Sequence, residues 1–137
     1  MMTDRNAIQI AVLLPCYNEE PTIAKVVSDF KNALPDAAIY VFDNNSTDQS
    51  ASLAREAGAT VVHSPQPGKG NVVRHMFAVI DADLYLMVDA DDTYPPDKAA
   101  ELIAAQNESG ADMVVGMRLS EHDTRAFRSM HKFGNRL

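Results

Sequence analysis

The chain has 137 residues, enough for one ordinary domain with a sizeable apolar core. Its composition, 46% apolar and 23% charged, is typical of globular proteins, and no apolar run is long enough to cross a membrane. The net charge of −7 argues against general binding of nucleic acid, which depends on positive potential. The single cysteine, Cys16, excludes an internal disulfide and fits a reducing compartment such as the cytoplasm.

The apolar pattern predicts strands and helices in regular alternation. The predicted strands are Ile8–Leu14, Ala38–Phe42, Thr60–His63, Leu84–Val88 and Met113–Met117. Helices are predicted from Pro21 to Leu34, from Ser46 or Asp48 to Ala57, across Val72 to Ile80, and from Asp97 to Glu108. This order indicates right-handed βαβ crossovers and a mainly parallel, Rossmann-like sheet covered on both faces, which is a three-layer α/β/α sandwich.

The charge is uneven along the chain. Residues 1–112 carry 17 acidic and 7 basic side chains, whereas residues 113–137 carry 2 acidic and 5 basic ones. The segment 118–137 has apolar residues every three or four positions between basic ones, which predicts an amphipathic helix. That helix would either dock on the sheet or face a phosphate or a membrane. We expect one domain over residues 1–137, with its core at 8–117, in a natural chain that continues beyond Leu137.

Carboxylates follow the fourth predicted strand at Asp89, Asp91 and Asp92. Asp89 and Asp91 are two residues apart, so an extended backbone directs both side chains to the same side. Carboxylate oxygens at the carboxyl end of such a strand are suitable ligands for a divalent cation that faces a phosphate. A solvated acidic turn is the alternative interpretation.

Three other loops carry polar residues. Tyr17 and Glu19 follow the first strand, and Asp43 ends the second; these residues are suited to contacts with a nucleobase or a ribose. Gly68-Lys69-Gly70 precedes a helix and joins flexible backbone, a cation and a helix N-terminus, a combination suited to anions. Arg74 follows Gly70 by one helical turn and is predicted to reach the same anion.

Together these motifs resemble family 2 glycosyltransferases with the GT-A fold, most closely the branch of dolichyl- and polyprenyl-phosphate sugar transferases. The resemblance is carried by the order and spacing of four motifs over residues 8–117: Leu14-Pro15-Cys16-Tyr17-Asn18-Glu19-Glu20, Asp43-Asn44-Asn45-Ser46-Thr47-Asp48, Gly68-Lys69-Gly70 and Asp89-Ala90-Asp91. The Asn44-Asn45 pair departs from the more usual acidic and glycine residues at this place.

The resemblance implies a role for each motif. Pro15, Tyr17, Glu19 and Asp43 would line the nucleoside pocket, and Lys69 and Arg74 would border the sugar-nucleotide site. Asp89 and Asp91 would be the DXD pair, holding Mg²⁺ or Mn²⁺ against the donor diphosphate. The sequence names no catalytic base, because the family's acceptor side lies beyond Leu137.

The implied activity is inverting, metal-assisted transfer of a sugar from a UDP- or GDP-linked donor, with a polyprenyl or dolichyl phosphate as acceptor. A cytoplasmic protein at the inner face of a membrane, or anchored to it in the full-length chain, would fit that acceptor. The sequence leaves open whether the chain forms a homo-oligomer.

Two alternatives remain at this point. Asp89 and Asp91 also match the DxDxT pattern of haloacid-dehalogenase-like phosphatases, as nucleophile and general acid. That class places the motif on its first strand and needs downstream motifs that this chain lacks. The second alternative is a domain that binds a nucleotide or a metal without catalysis.

Overall fold

The computed structural model describes residues 7–116, which contain four strands and four α-helices. The strands are β1 (Ile10–Cys16), β2 (Ala38–Asp43), β3 (Thr60–His63) and β4 (Leu84–Met87). The helices are α1 (Ile23–Ala33), α2 (Ser50–Glu56), α3 (Lys69–Val79) and α4 (Ala99–Ser109), with a 3-10 turn at Pro96–Lys98 before α4. All strand pairs are parallel and the sheet order is β3-β2-β1-β4, so the predicted α/β class is confirmed.

Alternate residues of β1 face opposite sides of the sheet, as the twofold period of a strand requires. Val12 and Leu14 belong to a core cluster with α1 and α2, whereas Ala11 and Leu13 belong to a second cluster with α3. The helices therefore cover both faces of the sheet, and the prediction of three layers is confirmed.

The strand β1 continues through Pro15, where the sequence predicted an end. Leu13 accepts a hydrogen bond from the backbone of Val88 beside β4, and Cys16 accepts one from Asn44 beside β2. Pro15 therefore faces the β4 side, beyond the last paired residue of that strand. Its missing N–H costs no ladder bond at this position, so the strand tolerates it.

The prediction of a fifth strand at Met113–Met117 is wrong for residues 113–116, which form no strand. Met113 is 78% exposed and Val115 is 71% exposed, although both are apolar. An apolar run becomes a strand only where a neighbouring strand offers hydrogen bonds, and its composition does not supply that neighbour.

The chain divides into two compact units, the first ending at Ala100 and the second beginning at Glu101. The second unit contains most of α4, which ends near Gly110, a residue with a positive φ of 65°. The predicted basic helix at 118–137 lies outside the described residues, as does Met117. Between residues 7 and 116, none of the helices has both the length and the apolar character that crossing a membrane requires.

Candidate functional site

The carboxyl ends of β1, β2 and β4 border a cleft of about 580 Å³ in the first unit. Open α/β sheets bind their ligands at this edge, because the loops after neighbouring parallel strands meet there. The described residues that line the cleft are Pro15, Cys16, Tyr17, Glu19, Asn44, Asn45, Pro67, Gly68, Lys69, Val72, Asp89, Ala90 and Asp91.

The loop after β1 is held by side chains of the loop after β2. The backbone N–H of Asn18 donates to Ser46 Oγ at 2.9 Å, and that of Glu19 donates to Ser50 Oγ at 2.9 Å. In return, Asn18 Oδ1 accepts a hydrogen bond from the N–H of Thr47 at 2.8 Å. These bonds fix the backbone of Tyr17, a residue that is 59% exposed at the cleft, so that its ring is available for stacking.

Asp48 also connects the loop after β1 to the start of α2. Its Oδ1 accepts hydrogen bonds from the N–H and the hydroxyl of Ser50, at 2.9 and 2.5 Å, and its Oδ2 accepts one from Glu20 N at 3.2 Å. The hydrogen bond from the Ser50 hydroxyl is the main reason that the pKa of Asp48 lies below its ordinary value. The carboxylate therefore stays ionised while it anchors this part of the cleft.

Asp43 lies at the end of β2, in register with Cys16 of β1. Its side chain is buried, and its Oδ1 has no hydrogen-bond partner among the described residues. A buried carboxylate oxygen without a donor is costly, so this atom is suited to accept a hydrogen bond from a ligand. Asp43 itself does not line the cleft, but the adjacent residues Cys16 and Asn44 do.

Cys16 is buried beside that carboxylate. Burial is the largest cause that raises the pKa of its thiol from 9.0 to about 11, and the charge of Asp43 raises it further. The thiol is therefore neutral near pH 7 and behaves as a small buried group rather than as a nucleophile.

Asn44 and Asn45 attach the end of β2 to the segment 64–68. Asn44 Nδ2 donates to the carbonyls of Ser64 and Gln66, both at 2.8 Å, and Asn44 Oδ1 accepts from Gly68 N at 3.2 Å. Asn45 Nδ2 donates to the carbonyl of Pro65 at 2.9 Å. Sequence analysis missed these roles, because they depend on a neighbouring loop about twenty residues further along the chain.

Gly68 and Lys69 bring a cation to the cleft. Gly68 has a φ of 103°, which favours glycine, and α3 begins at the next residue. Lys69 Nζ lies 2.5 Å from Asp89 Oδ1 and forms an ion pair with it. The N-terminus of α3 and the ammonium group together provide positive potential opposite the loop after β4.

The loop after β4 presents two carboxylates to the same cleft. Ala90 is buried between Asp89 and Asp91, and its carbonyl accepts a hydrogen bond from Thr22 Oγ1 at 2.7 Å, which fixes the loop to the start of α1. Asp91 Oδ1 accepts hydrogen bonds from the N–H and the hydroxyl of Thr93, at 3.2 and 2.5 Å. Both carboxylates line the cleft, as the sequence predicted.

The adjacent carboxylate behaves differently. Asp92 has a φ of 61° and pairs with Lys25 at 3.1 Å, and it does not line the cleft. Lys25 also pairs with Asp29 at 2.7 Å, which is the first cause that its pKa lies above the ordinary value. The third acidic residue of the run therefore belongs to a surface ion-pair group.

Two hard oxygen ligands are the set with which proteins commonly bind Mg²⁺, together with phosphate oxygens and water. The described residues contain no cluster of three or more His, Cys, Asp or Glu side chains that could hold a metal. Asp89 and Asp91 thus fit a cation that a bound phosphate helps to hold. The pKa of Glu19, which lies across the cleft, is raised by burial and then by repulsion from Asp91, so negative charge is concentrated here.

The structure brings most of the predicted site residues together: Pro15, Tyr17, Glu19, Lys69, Asp89 and Asp91 all line the cleft. It does not bring Arg74 there. Each helical residue advances by about 100°, so Arg74 points about 160° away from Val72, the buried residue of α3 that lines the cleft. Arg74 is exposed instead, and its expected role at the sugar-nucleotide site has no support in the geometry.

Comparison with known proteins identifies the family. The family model described as glycosyl transferase family 2 matches residues 11–136. The chain belongs to this family. The RfbJ protein of Shigella flexneri is 54% identical over 127 residues, which cover 93% of this chain and 98% of that protein. A dolichyl-phosphate hexose transferase of Haloferax volcanii is 30% identical over 120 residues, which cover 88% of this chain and 52% of that enzyme.

Solved structures agree with this family. Glucosyl-3-phosphoglycerate synthase of Mycobacterium tuberculosis, in complex with Mn²⁺, UDP and glucosyl-3-phosphoglycerate, has a TM-score of 0.65 and 28% identity. The match covers 72% of this chain and 39% of the synthase. The same synthase has also been solved with Mg²⁺ and UDP. The predicted cofactors, Mg²⁺ or Mn²⁺, are therefore confirmed for solved relatives of this chain.

The family assignment removes the phosphatase alternative, because the DxDxT-like residues belong to a glycosyl transferase domain. The chain spans nearly all of RfbJ, but only about half of the dolichyl-phosphate enzyme and about two fifths of the solved synthase.

Proposed function

We propose that the cleft binds a nucleoside-diphosphate sugar, UDP- or GDP-linked, and that the chain carries the donor-binding part of an inverting glycosyl transfer. The observation that carries the proposal is the convergence of Tyr17, Lys69 and the Asp89–Asp91 pair on one cleft. An aromatic ring, an ammonium group and two carboxylates match the base, the diphosphate and a divalent cation of such a donor. Membership of glycosyl transferase family 2 supports the same conclusion.

The nucleoside would lie between the loops after β1 and β2. The exposed ring of Tyr17 offers a stacking surface for the base, while the backbone below it is fixed by Ser46 and Ser50. The Oδ1 of Asp43, which has no hydrogen-bond partner within residues 7–116, would accept an N–H or O–H of the base or the ribose. Such a contact would relieve the cost of its burial only when the nucleoside is present.

The diphosphate would lie against Lys69 and the carboxylate pair, where a divalent cation would replace the ion pair that Asp89 makes with Lys69 in this structure. Asp89 and Asp91 would hold Mg²⁺ or Mn²⁺, which supplies positive charge against the diphosphate that leaves the sugar. Lys69, next to Asp89, would add a second positive charge beside the diphosphate, and the N-terminus of α3 would add its dipole. Among the described residues, the ion pair with Asp89 holds the ammonium group at this position.

The acceptor that we propose is a polyprenyl or dolichyl phosphate at the inner face of a membrane. The dolichyl-phosphate hexose transferase of Haloferax volcanii, whose name states such an acceptor, supports this choice. The second pKa of a phosphate ester is about 6, so the attacking oxygen is already anionic near neutral pH. A single in-line displacement by this oxygen would invert the configuration at the anomeric carbon, and it would need no strong protein base to deprotonate the acceptor.

Binding of UDP and GDP, measured by calorimetry with and without Mn²⁺, tests the donor site. Asp91→Asn removes one metal ligand and should reduce the Mn²⁺-dependent affinity at least tenfold, about 1.4 kcal/mol. Asp92→Asn is the matched control, because it removes the same charge one residue away, outside the cleft. Its affinity should remain within about twofold of the wild type.

Equal losses of affinity in Asp91→Asn and Asp92→Asn would show that only net charge matters. If the wild type binds neither UDP nor GDP, the donor site is contradicted. Nucleotide binding without any transfer to polyprenyl phosphate would support a non-catalytic binding domain. The transfer assay uses a radiolabelled nucleotide sugar with polyprenyl phosphate in detergent, and the anomeric configuration of the product reports inversion.

A further inference from the structure

Asn44 uses its whole side-chain amide on a neighbouring loop. Both hydrogens of Nδ2 are donated to backbone carbonyls, those of Ser64 and Gln66, each at 2.8 Å. Oδ1 accepts the N–H of Gly68 at 3.2 Å. An asparagine amide offers two donors and an acceptor, and here each of them contacts the segment 64–68.

This segment is poor in backbone donors of its own. Pro65 and Pro67 have no N–H, so two of its five residues cannot close a turn by donating a backbone hydrogen bond. Ser64 continues the ladder of β2, because its N–H donates to the carbonyl of Asp43 at 2.9 Å. Beyond Ser64, the amide of Asn44 supplies donors that the prolines do not provide.

Asn44 is itself fixed by the sheet. It follows the last residue of β2, and its backbone N–H donates to the carbonyl of Cys16 at 2.9 Å. The side chain therefore extends from a rigid strand end toward a loop whose carbonyls at Pro65 and Pro67 also accept hydrogen bonds, from Asn45 and Asn71. Rigid elements position loop residues more precisely than loops position themselves.

The position of Lys69 depends on this attachment. Gly68 makes the left-handed turn that starts α3, and Lys69 is the next residue. The side chain of Lys69 is 62% exposed, so packing alone does not restrain it. Whether its ammonium group reaches Asp89 therefore depends on where its backbone begins, and the N–H of Gly68 helps to hold that backbone.

We propose that Asn44 is a positioning residue, whose amide fastens the segment 64–68 to the end of β2 and thereby sets where Lys69 reaches across the cleft toward Asp89. Its part in donor binding rests on the proposed function. The amide is engaged by the loop, so Asn44 is not the residue that reads the nucleobase. Asparagine suits this place because a carboxylate of the same shape would face two carbonyl oxygens with no hydrogen to donate.

Amide hydrogen exchange of the ligand-free protein tests the attachment without any nucleotide. In Asn44→Ala, the N–H of Gly68 should exchange about fivefold faster or more, because it loses its acceptor. The N–H of Val26 in α1 should keep its rate, which separates local release from general loss of structure. Asn32→Ala, which removes an exposed amide on α1, is the matched control and should leave Gly68 unchanged.

A double-mutant cycle tests the route through Lys69. Asn44→Ala should weaken binding of UDP with Mn²⁺ by about threefold to tenfold in the wild-type background. In the Lys69→Ala background, the same change should have less than about a twofold effect, because the residue through which it acts is gone. Asn44→Ser, which is polar but too short to reach all three partners, replaces Asn44→Ala if that variant does not fold.

Unchanged exchange at Gly68 in Asn44→Ala would overturn the attachment. If Asn44→Ala weakens binding by the same factor with and without Lys69, the two residues act independently, and Asn44 does not act through Lys69. If the wild type binds no nucleotide, the donor site fails, while the exchange at Gly68 still decides whether Asn44 fastens the loop.

Discussion

Ser50→Ala tests whether the loop after β1 is held by α2. Ser50 is fully buried, and its Oγ accepts the backbone N–H of Glu19 at 2.9 Å while its hydroxyl donates to Asp48. Alanine fits the same space but offers no acceptor, so the partly buried N–H of Glu19 is left without its bond. We expect the free energy of unfolding to fall by about 1–3 kcal/mol for that loss alone.

Ser52→Ala is the matched control in the same helix. The Ser52 hydroxyl bonds only locally, to the carbonyl and the side chain of Gln49, at 3.0 and 3.1 Å in an exposed setting. Its replacement should change the stability by less than about 0.5 kcal/mol. Because alanine raises helix propensity at either position, comparing the two variants removes most of that gain.

Urea denaturation followed by circular dichroism measures both variants, with the midpoint and the slope fitted separately. A larger loss for Ser50→Ala at an unchanged slope supports the interpretation. Equal stability of the two variants would refute it, because the bond from Glu19 would then contribute nothing beyond a local surface contact.

Two further predictions concern the cleft. The raised pKa of Cys16 means that the neutral thiol contributes to the free energy of unfolding below pH 9 and that this contribution is lost as the pH rises toward about 11. The wild type should therefore lose more stability over this range than Cys16→Ala. Urea denaturation at each pH measures the difference. Lys69→Ala should weaken the binding of UDP with Mn²⁺ by about tenfold in calorimetry, whereas Arg74→Ala should leave the affinity within about twofold of the wild type.

Opposite results would be equally informative. Parallel pH curves for the wild type and Cys16→Ala would show that the thiol has the same pKa in both states of the chain. A large loss of affinity in Arg74→Ala would place its guanidinium at the diphosphate, as the sequence alone had predicted, and would contradict the position of α3.

Several of the predicted site residues that line the cleft lie directly at strand ends. Tyr17 comes just after β1, and Asp89 and Asp91 follow β4, so the rule that parallel strands end at one edge was sufficient to bring them to one cleft. Arg74 does not line the cleft, because the sequence shows its distance from Gly70 but not the direction in which the helix turns its side chain.

The sequence by itself determined the fold class, the edge of the sheet that carries the site and the chemical groups gathered there, because apolar periodicity and chain order fix a parallel α/β arrangement. Only the tertiary structure decided that Asn44 is bound to the segment 64–68, that Asp92 pairs with Lys25 and that residues 113–116 form no strand. Each of these depends on a hydrogen-bonding or charged partner distant in sequence, and local pattern carries no information about which partner folding brings close.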